Sequence, residues 1–263
     1  MTVRGLMGVQ AALFGLLGGS TLVLGALIGL YVKVKRRTIA VVTAFGAGVL
    51  IATLSFELVA KAYIKGGFDS TTTGFVAGAA LFIIGDWAVN ARGGHHRRYT
   101  LGKRYHAYKP ERKDEGSGLA IFIGALLDGI PESAAIGISL IAGEGIGWAV
   151  LAAVFISNLP EGVSGAVSMT KAGWKKGSTI AMWASIAVMS SLSSLAGYLV
   201  LGHMGVDGYA FITALAGGAI LAMVSSTMIP EAFDYEGRIT PIATPLATVA
   251  GFLLSFVLSE LAR

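Results

Sequence analysis

Five of the seven oxygen-bearing side chains in two similar apolar strings, LLDGIPESAAIG and FISNLPEGVSGA, lie within the proline–glutamate motif that the strings share. Each string contains a polar residue, two spacers, a proline and then a glutamate. The five side chains are those of Asp128, Glu132, Ser157, Asn158 and Glu161. Residues at positions i and i+4 share one face of an α-helix, which puts Asp128 beside Glu132 and Ser157 beside Glu161. The two strings therefore predict carboxylate and hydroxyl oxygens gathered on two helix faces.

The prolines add backbone oxygens at the same places. A proline inside a helix donates no N–H and displaces the carbonyl four residues earlier. Pro131 should therefore free the carbonyl of Leu127, and Pro160 that of Ile156. In hydrocarbon a freed carbonyl is costly unless a cavity, water or an ion satisfies it. The pattern thus predicts that oxygen ligands converge where these two helices kink.

The composition places both strings inside a membrane. The chain has 263 residues, of which 54% are hydrophobic and 13% charged, whereas soluble domains carry about 25% charged residues. A water-soluble fold of this size cannot hide so much apolar surface, so we predict an all-α membrane protein with residues 1–263 in one transmembrane domain. Cysteine is absent, which excludes disulfides and thiolate metal sites. The N-terminal segment shows no cleavage pattern, so it is predicted to be a retained first helix.

Eight segments are long and apolar enough to cross a bilayer, which needs about 20 residues per helix. They are 8–32, 39–62, 72–91, 117–142, 146–169, 177–201, 209–231 and 241–261. With the N-terminus outside, sixteen of the 20 Lys and Arg residues fall in cytoplasmic loops. The positive-inside rule therefore predicts eight spans with both termini outside. Residues 92–116 then form a basic cytoplasmic loop between the third and fourth spans.

The buried acids need a positive counter-charge. A carboxylate inside the bilayer costs about 2.5–3.5 kcal/mol, and every Lys and Arg is predicted to lie in a loop or at the end of a span. Protons, which would leave neutral acids, and imported cations remain as the counter-charge for Asp128, Glu132 and Glu161. A divalent cation or an exchanging proton explains the matched strings better than a purely structural hydrogen bond does. Glu57 is a further candidate ligand, although Lys61 lies one turn away.

Other polar residues fit ordinary roles. Asp86 is predicted to be an interfacial acid, and Glu231 to be a rim residue at the end of the seventh span. His95, His96 and His106 fit a solvated loop, with metal sensing as the alternative. The basic charge is explained by topology and by anionic lipid, so nucleic acid is not a predicted partner.

At these residues the chain resembles the ZIP (Zrt/Irt-like) family of divalent-metal transporters. That family carries an H-N-x-P-E-G string in its fourth span and a related H-[EN]-x-P-E string in its fifth, where this chain has DGIPES and SNLPEG. The segment GAGVLIATLSFEL, which ends near Glu57, and the segment MIPEA around Glu231 are also similar. The resemblance covers nearly the whole chain. It implies an eight-helix bundle in a 3+2+3 arrangement with both termini outside.

The resemblance also implies a function, which is import of divalent metal across the plasma or inner membrane. Zinc is the family expectation, and manganese and iron are the alternatives. The resemblance makes Glu132 and Glu161 metal ligands. It puts Asp128 and Ser157 at the positions of the two ligand histidines, and Asn158 at that of the ligand asparagine. The expected partners are the transported metal ion and the lipid bilayer. No cofactor is expected beyond the transported metal, and homodimer formation stays open.

The chain departs from the family in several ligands. Both motif histidines are missing, and the acid of the sixth span is replaced by Ser190 or a nearby serine. An all-oxygen site suits magnesium, calcium or manganese, whereas imidazole suits zinc. A non-transporting membrane scaffold or metal sensor with the ZIP fold is therefore the alternative. An enzyme is not predicted, because the chain has no H-E-x-x-H motif and no base beside a serine.

Overall fold

The computed structural model describes residues 3–91, 115–140, 148–201, 204–236 and 242–261. The α-helices in these ranges are α1 (Val3–Tyr31), α2 (Arg36–Thr53), α3 (Ala60–Ala91), α4 (Glu115–Ser139), α5 (Trp148–Lys171), α6 (Lys176–Leu201), α7 (Val206–Met223), α8 (Ile229–Glu236) and α9 (Ala243–Leu261). Two π-helical segments join α2 to α3 and α7 to α8. We name them π1 (Leu54–Val59) and π2 (Val224–Met228). The predicted all-α class is confirmed, while nearly all of the predicted loop 92–116, with its three histidines, lies outside the described residues.

Seven helical runs in the described part of the chain are long and apolar enough to cross a membrane. The 29 residues of α1 extend about 44 Å, which exceeds the roughly 30 Å hydrocarbon core of a bilayer. Large apolar side chains such as Leu13, Ile84, Trp87 and Leu246 are exposed on the outer faces of the helices. These faces suit lipid rather than water, so the fold is that of a multi-pass membrane protein.

The longest apolar run, Arg36–Val89, contains 54 residues and does not continue as one straight rod. Gly67 adopts φ 73° and ψ −170°, a conformation that glycine tolerates and other residues rarely adopt. Side-chain atoms of Leu58 and Phe75 both lie within 4.0 Å of the position that a Cβ would take on Gly217. In a straight helix, Leu58 and Phe75, which are seventeen positions apart in the sequence, would be about 25 Å apart. The chain therefore folds back at Gly67 and lays both limbs against α7.

The helices pack as two groups. In the first group α1, α4, α5 and α6 pack against one another, with the broadest contacts between α1 and its neighbours α5 and α6. In the second group α3 packs along α7, and α2 packs along α9. The groups meet mainly where α2 crosses α5 and where α7 crosses α4. Because α4 and α5 carry the two proline–glutamate strings, the predicted site lies where the two groups meet.

An internal repeat, which the sequence analysis did not detect, relates α2 to α7. Residues 43–62 (TAFGAGVLIATLSFELVAKA) align without gaps to residues 213–232 (TALAGGAILAMVSSTMIPEA), at a constant offset of 170 positions. π1 and π2 begin at aligned positions, Leu54 and Val224. The two regions are therefore alike in backbone conformation as well as in sequence.

Contacts around the two copies repeat as well. The Ser55 hydroxyl donates to the carbonyl of Ile51 at 2.7 Å, and at the aligned positions the Ser225 hydroxyl donates to the carbonyl of Leu221 at 2.9 Å. Gly48 of α2 lies directly against the backbone of α9, and its counterpart Gly218 of α7 lies directly against the backbone of α3. The pairs α2–α9 and α7–α3 are thus two versions of the same packing unit.

Candidate functional site

The two proline–glutamate strings meet in the interior of the fold. α4 continues through Pro131 and α5 through Pro160. The side chains of Asp128, Glu132 and Ser157 are almost completely buried, with 3% or less of each residue exposed. The Ser157 hydroxyl lies 3.5 Å from Oε2 of Glu132, and Ser157 lines a small cavity together with Asp128 and Glu161. The structure therefore gathers three carboxyl groups where α4 meets α5.

The link between Ser157 and Glu132 is weak. The same hydroxyl lies 3.1 Å from the carbonyl of Val154, one turn earlier on α5. A serine hydroxyl has one hydrogen, and a separation of 3.5 Å is at the long limit of a hydrogen bond. Because the Val154 carbonyl is the closer acceptor, the Glu132 carboxylate is not strongly held by Ser157 and is able to bind another group.

Asn158 is anchored on one side only. Its Nδ2 donates to the carbonyl of Gly18 at 3.0 Å, which ties α5 to α1. Its Oδ1 is buried and accepts no hydrogen bond from the described residues. A buried acceptor left unsatisfied costs about 1–3 kcal/mol. The amide therefore provides a buried, oriented oxygen that a water molecule would satisfy.

Replacing Asn158 with Ala should lower stability by about 0.5–1.5 kcal/mol, because the buried hydrogen bond that ties α5 to α1 is lost, while the Gly18 carbonyl keeps the Thr21 hydroxyl as a donor. The measurement is the thermal unfolding midpoint of the purified protein in detergent. Ser185→Ala is the matched control, since it also removes a side-chain hydrogen bond, to Met182, but at an exposed position. Equal midpoints for the two variants would show that the amide does not tie α1 to α5.

A small cavity adjoins the carboxylate cluster. It leaves room for about one water-sized sphere. Its walls come from α2, α4, α5, α7, π2 and α8. The lining residues are Thr43, Asp128, Ser157, Glu161, Met223, Thr227, Met228 and Glu231. Space for one water-sized sphere admits a water molecule or a dehydrated ion but is far smaller than the usual site of an organic ligand.

The second π-helical segment shapes one wall of the cavity. π-Helical turns inside α-helices are rare and frequently occur at functional sites. Pro230 follows π2 and has no N–H to donate to the carbonyl of Ser226, four residues earlier. Thr227 and Glu231, which bracket this proline one turn apart, both line the cavity. The irregular backbone therefore places polar side chains against the site from the second helix group.

The structure separates the six predicted ligands into three sets. Asp128, Ser157 and Glu161 line the cavity, with Glu132 beside them. Asn158 is buried next in sequence to Ser157 but is not part of the cavity wall. Glu57 lies apart from the cavity. Its Oε2 is 2.9 Å from Nζ of Lys61, so the ion pair that the sequence left open is formed.

Side chains alone do not complete a metal cage. Across the described ranges, no three His, Cys, Asp or Glu side chains converge closely enough to hold a metal ion between them. A cation at this cluster would need further oxygens from hydroxyl groups, the freed carbonyls or water. Ligation of that kind is typical of hard cations such as Mg²⁺ and Ca²⁺.

Two polar residues of the cavity wall were not predicted as ligands. Glu231, interpreted from sequence as a rim residue, lines the cavity, and Thr43 does so from the beginning of α2. The sequence feature that could have identified Glu231 as a candidate ligand is the motif from Thr227 to Glu231. It has the same order of polar residue, two spacers, proline and glutamate as the strings in α4 and α5. Ser190, the proposed stand-in for the missing acid, is buried, and its Oγ lies 4.0 Å from the position of a Cβ on Gly129.

The fold and the site define a multi-pass helical membrane protein with a buried carboxylate cluster beside an ion-sized cavity. The chain matches no protein-family model and no curated protein. Assignment to a family therefore depends on the residues and geometry described above.

Proposed function

We propose that the protein is a ZIP-type transporter that imports divalent metal ions across the plasma or inner membrane. One observation carries the proposal: Asp128 and Glu161 line one cavity with Ser157, whose hydroxyl lies 3.5 Å from Glu132, where two proline-interrupted membrane helices meet. Carboxylates brought together in a medium of low dielectric repel one another strongly. A divalent cation among them would convert that repulsion into attraction.

The type of ligand fits a transported ion better than a permanently bound one. Carboxylate, hydroxyl and carbonyl oxygens suit Mn²⁺, Mg²⁺ and Ca²⁺, while zinc is the expectation from the resemblance. A site with few protein ligands and some water allows the ion to leave again. The cluster lies where the two helix groups meet, so a movement of one group against the other would open it to alternate sides of the membrane.

The proposal includes eight membrane crossings in a 3+2+3 arrangement with both termini outside. The reversal at Gly67 supports it, because it divides the Arg36–Val89 run into two limbs that both contact α7. The repeat that relates α2 to α7 supports it as well, since internal repeats are common in transporters. An eight-crossing chain puts the α1–α2 and α5–α6 connections on the same side of the membrane.

Cysteine labelling tests this topology in a chain that has no native cysteine. Gly177→Cys and Gly205→Cys place thiols at positions where a Cβ meets nothing within 4 Å, and Val34→Cys marks the α1–α2 connection. With eight crossings, an impermeant maleimide should label Gly205→Cys in intact cells. It should label Val34→Cys and Gly177→Cys only after permeabilisation. A chain with seven crossings would instead put Val34 and Gly177 on opposite sides.

The transport proposal is tested with the purified protein in liposomes. We expect saturable uptake of at least one of Zn²⁺, Mn²⁺, Fe²⁺, Co²⁺, Cd²⁺ and Mg²⁺, above the rate of protein-free liposomes. An organic cation such as choline should not compete, because the cavity is too small for it. Failure to move any of the six metals would overturn the proposal.

A metal sensor or scaffold with the same fold is the second candidate. It is favoured by the observation that the described acids do not enclose an ion by themselves. Equilibrium titration with metal discriminates between the candidates. A sensor should bind metal at Glu132 and Glu161 without uptake, and a scaffold should show no saturable site that Glu132→Ala with Glu161→Ala removes.

A further inference from the structure

The internal repeat places opposite charges at equivalent positions. At the offset of 170, Lys61 aligns with Glu231, and Glu57 aligns with Thr227. Thr227 and Glu231 lie one turn apart around the end of π2, and both line the cavity. Glu57 and Lys61 lie one turn apart around the end of π1. An acid at the cavity thus corresponds to an ion pair in the other copy.

The ion pair is short and largely shielded. Nζ of Lys61 is 2.9 Å from Oε2 of Glu57, and the two side chains are only 26% and 13% exposed. The π1 segment that holds Glu57 packs against α7 and α3. A carboxylate in such surroundings attracts a cation more strongly than a carboxylate in water does. In this structure, the cation beside the Glu57 carboxylate is the ammonium group of Lys61.

The ion pair and the cavity lie at different depths along α2. Thr43, near the beginning of α2, lines the cavity. Glu57 comes fourteen residues later, which corresponds to about 21 Å along the helix axis. The Glu57–Lys61 pair therefore lies nearer the opposite side of the membrane from Thr43, and a metal ion that crosses the membrane by way of the cavity must also pass this depth.

We propose that Lys61 is a tethered cation that occupies the Glu57 carboxylate and sets the affinity of this end of the pathway for divalent metal. The inference rests on the proposed transport function. A metal ion that reaches Glu57 must displace the ammonium group and approach a second positive charge. Lys61 therefore keeps the metal from binding tightly at this end, so the ion passes on. Without Lys61, Glu57 becomes a stronger metal site.

Uptake kinetics test the role of Lys61 in transport. With Mn²⁺ as the probe, Lys61→Met should lower KM by about tenfold, because the metal ion no longer has to displace one positive charge from Glu57 and approach it. Lys61→Arg keeps the charge and should keep KM. Because the gain depends on the freed carboxylate, Glu57→Gln with Lys61→Met should cancel it. An unchanged KM in Lys61→Met, or a lowered KM that persists in the double variant, would overturn the inference.

A binding measurement separates this inference from the proposed function. In a Glu132→Gln, Glu161→Gln background, Mn²⁺ binding is followed by electron paramagnetic resonance. Adding Lys61→Met should create a saturable Mn²⁺ site that further substitution Glu57→Gln removes. If no such site appears, the inference fails even if the native protein transports metal. If the native protein transports nothing, the proposed function fails, while the binding result still decides whether Lys61 screens Glu57.

A buried Glu57 without its partner could destabilise the Lys61→Met variant. Lys61→Gln is the second variant, since its amide can still donate a hydrogen bond to the carboxylate while carrying no charge. It should show the same gain in Mn²⁺ binding. A Lys61→Gln protein that folds but binds Mn²⁺ no better than the Lys61 background would count against a tethered-cation role.

Discussion

Replacing Glu161 with Gln should reduce metal uptake to the level of protein-free liposomes, and Glu132→Gln should do the same. Gln has nearly the same shape but carries no charge, so the change removes the attraction for the cation and leaves the packing of α4 and α5 in place. Glu132 is almost fully buried and lies 3.5 Å from the hydroxyl of Ser157, which lines the cavity with Asp128 and Glu161. The measurement is the initial rate of uptake of whichever metal the native protein transports.

The matched control is Glu260→Gln, the same substitution at an exposed position on α9. It should transport at the native rate. Native uptake in the Glu161→Gln variant would remove Glu161 from the site. A rate that falls equally in all three variants would point to general damage instead of loss of a ligand.

Thermal unfolding distinguishes loss of a ligand from loss of the fold. Metal at 100 times its dissociation constant stabilises the native state by about 2.7 kcal/mol. The midpoint of the native protein should therefore rise when metal is added, and those of Glu132→Gln and Glu161→Gln should not. Without metal, both variants should unfold at or above the native midpoint, because a neutral amide replaces an ionisable carboxyl group in an apolar interior. A lower metal-free midpoint would mean that the carboxylate stabilises the fold directly.

The sequence was sufficient to locate the acids of α4 and α5, because their spacing and the prolines are local features. It also predicted separate second and third spans on either side of residues 62–72, and the described Arg36–Val89 run turns back there, at Gly67. What remained undetermined involved contacts between distant segments. Thr43 and Glu231 are 188 positions apart, and only helix packing brings both to one cavity.

Two further features could not be read from spacing alone. Lys61 was recognised as a neighbour of Glu57, but helical spacing permits a salt bridge without requiring one; the distance of 2.9 Å decides it. The repeat between α2 and α7 was hidden because apolar residues replace one another freely, as Leu50 and Ile220 do. The π1 and π2 segments disclose the repeat, since an uncommon backbone feature occurs twice at the same aligned position.

Substituting Ala for Gly48 or Gly218 should destabilise the protein strongly, and to a similar degree. In an isolated helix, Ala is favoured over Gly by about 1 kcal/mol. At these positions, however, a Cβ would collide with the backbone, at Thr248 for Gly48 and at Phe75 for Gly218. Two helices cannot separate without losing contacts along their length, and overpacking of this kind costs about 1–3 kcal/mol or more. Thermal unfolding in detergent measures the loss.

Gly177→Ala is the matched control, because a Cβ at this position meets nothing within 4 Å. Gly177 is near the beginning of α6, so Ala should leave the midpoint unchanged or raise it slightly. If Gly48 and Gly218 are equivalent parts of one repeated packing unit, the unfolding midpoints of their Ala variants should be lowered by similar amounts. The midpoint of Gly177→Ala should not be lowered. A large loss in one and none in the other would show that the two units, although alike in sequence and backbone, do not contribute equally. The α2–α9 and α3–α7 contacts would then have separate roles in holding the second helix group against the site.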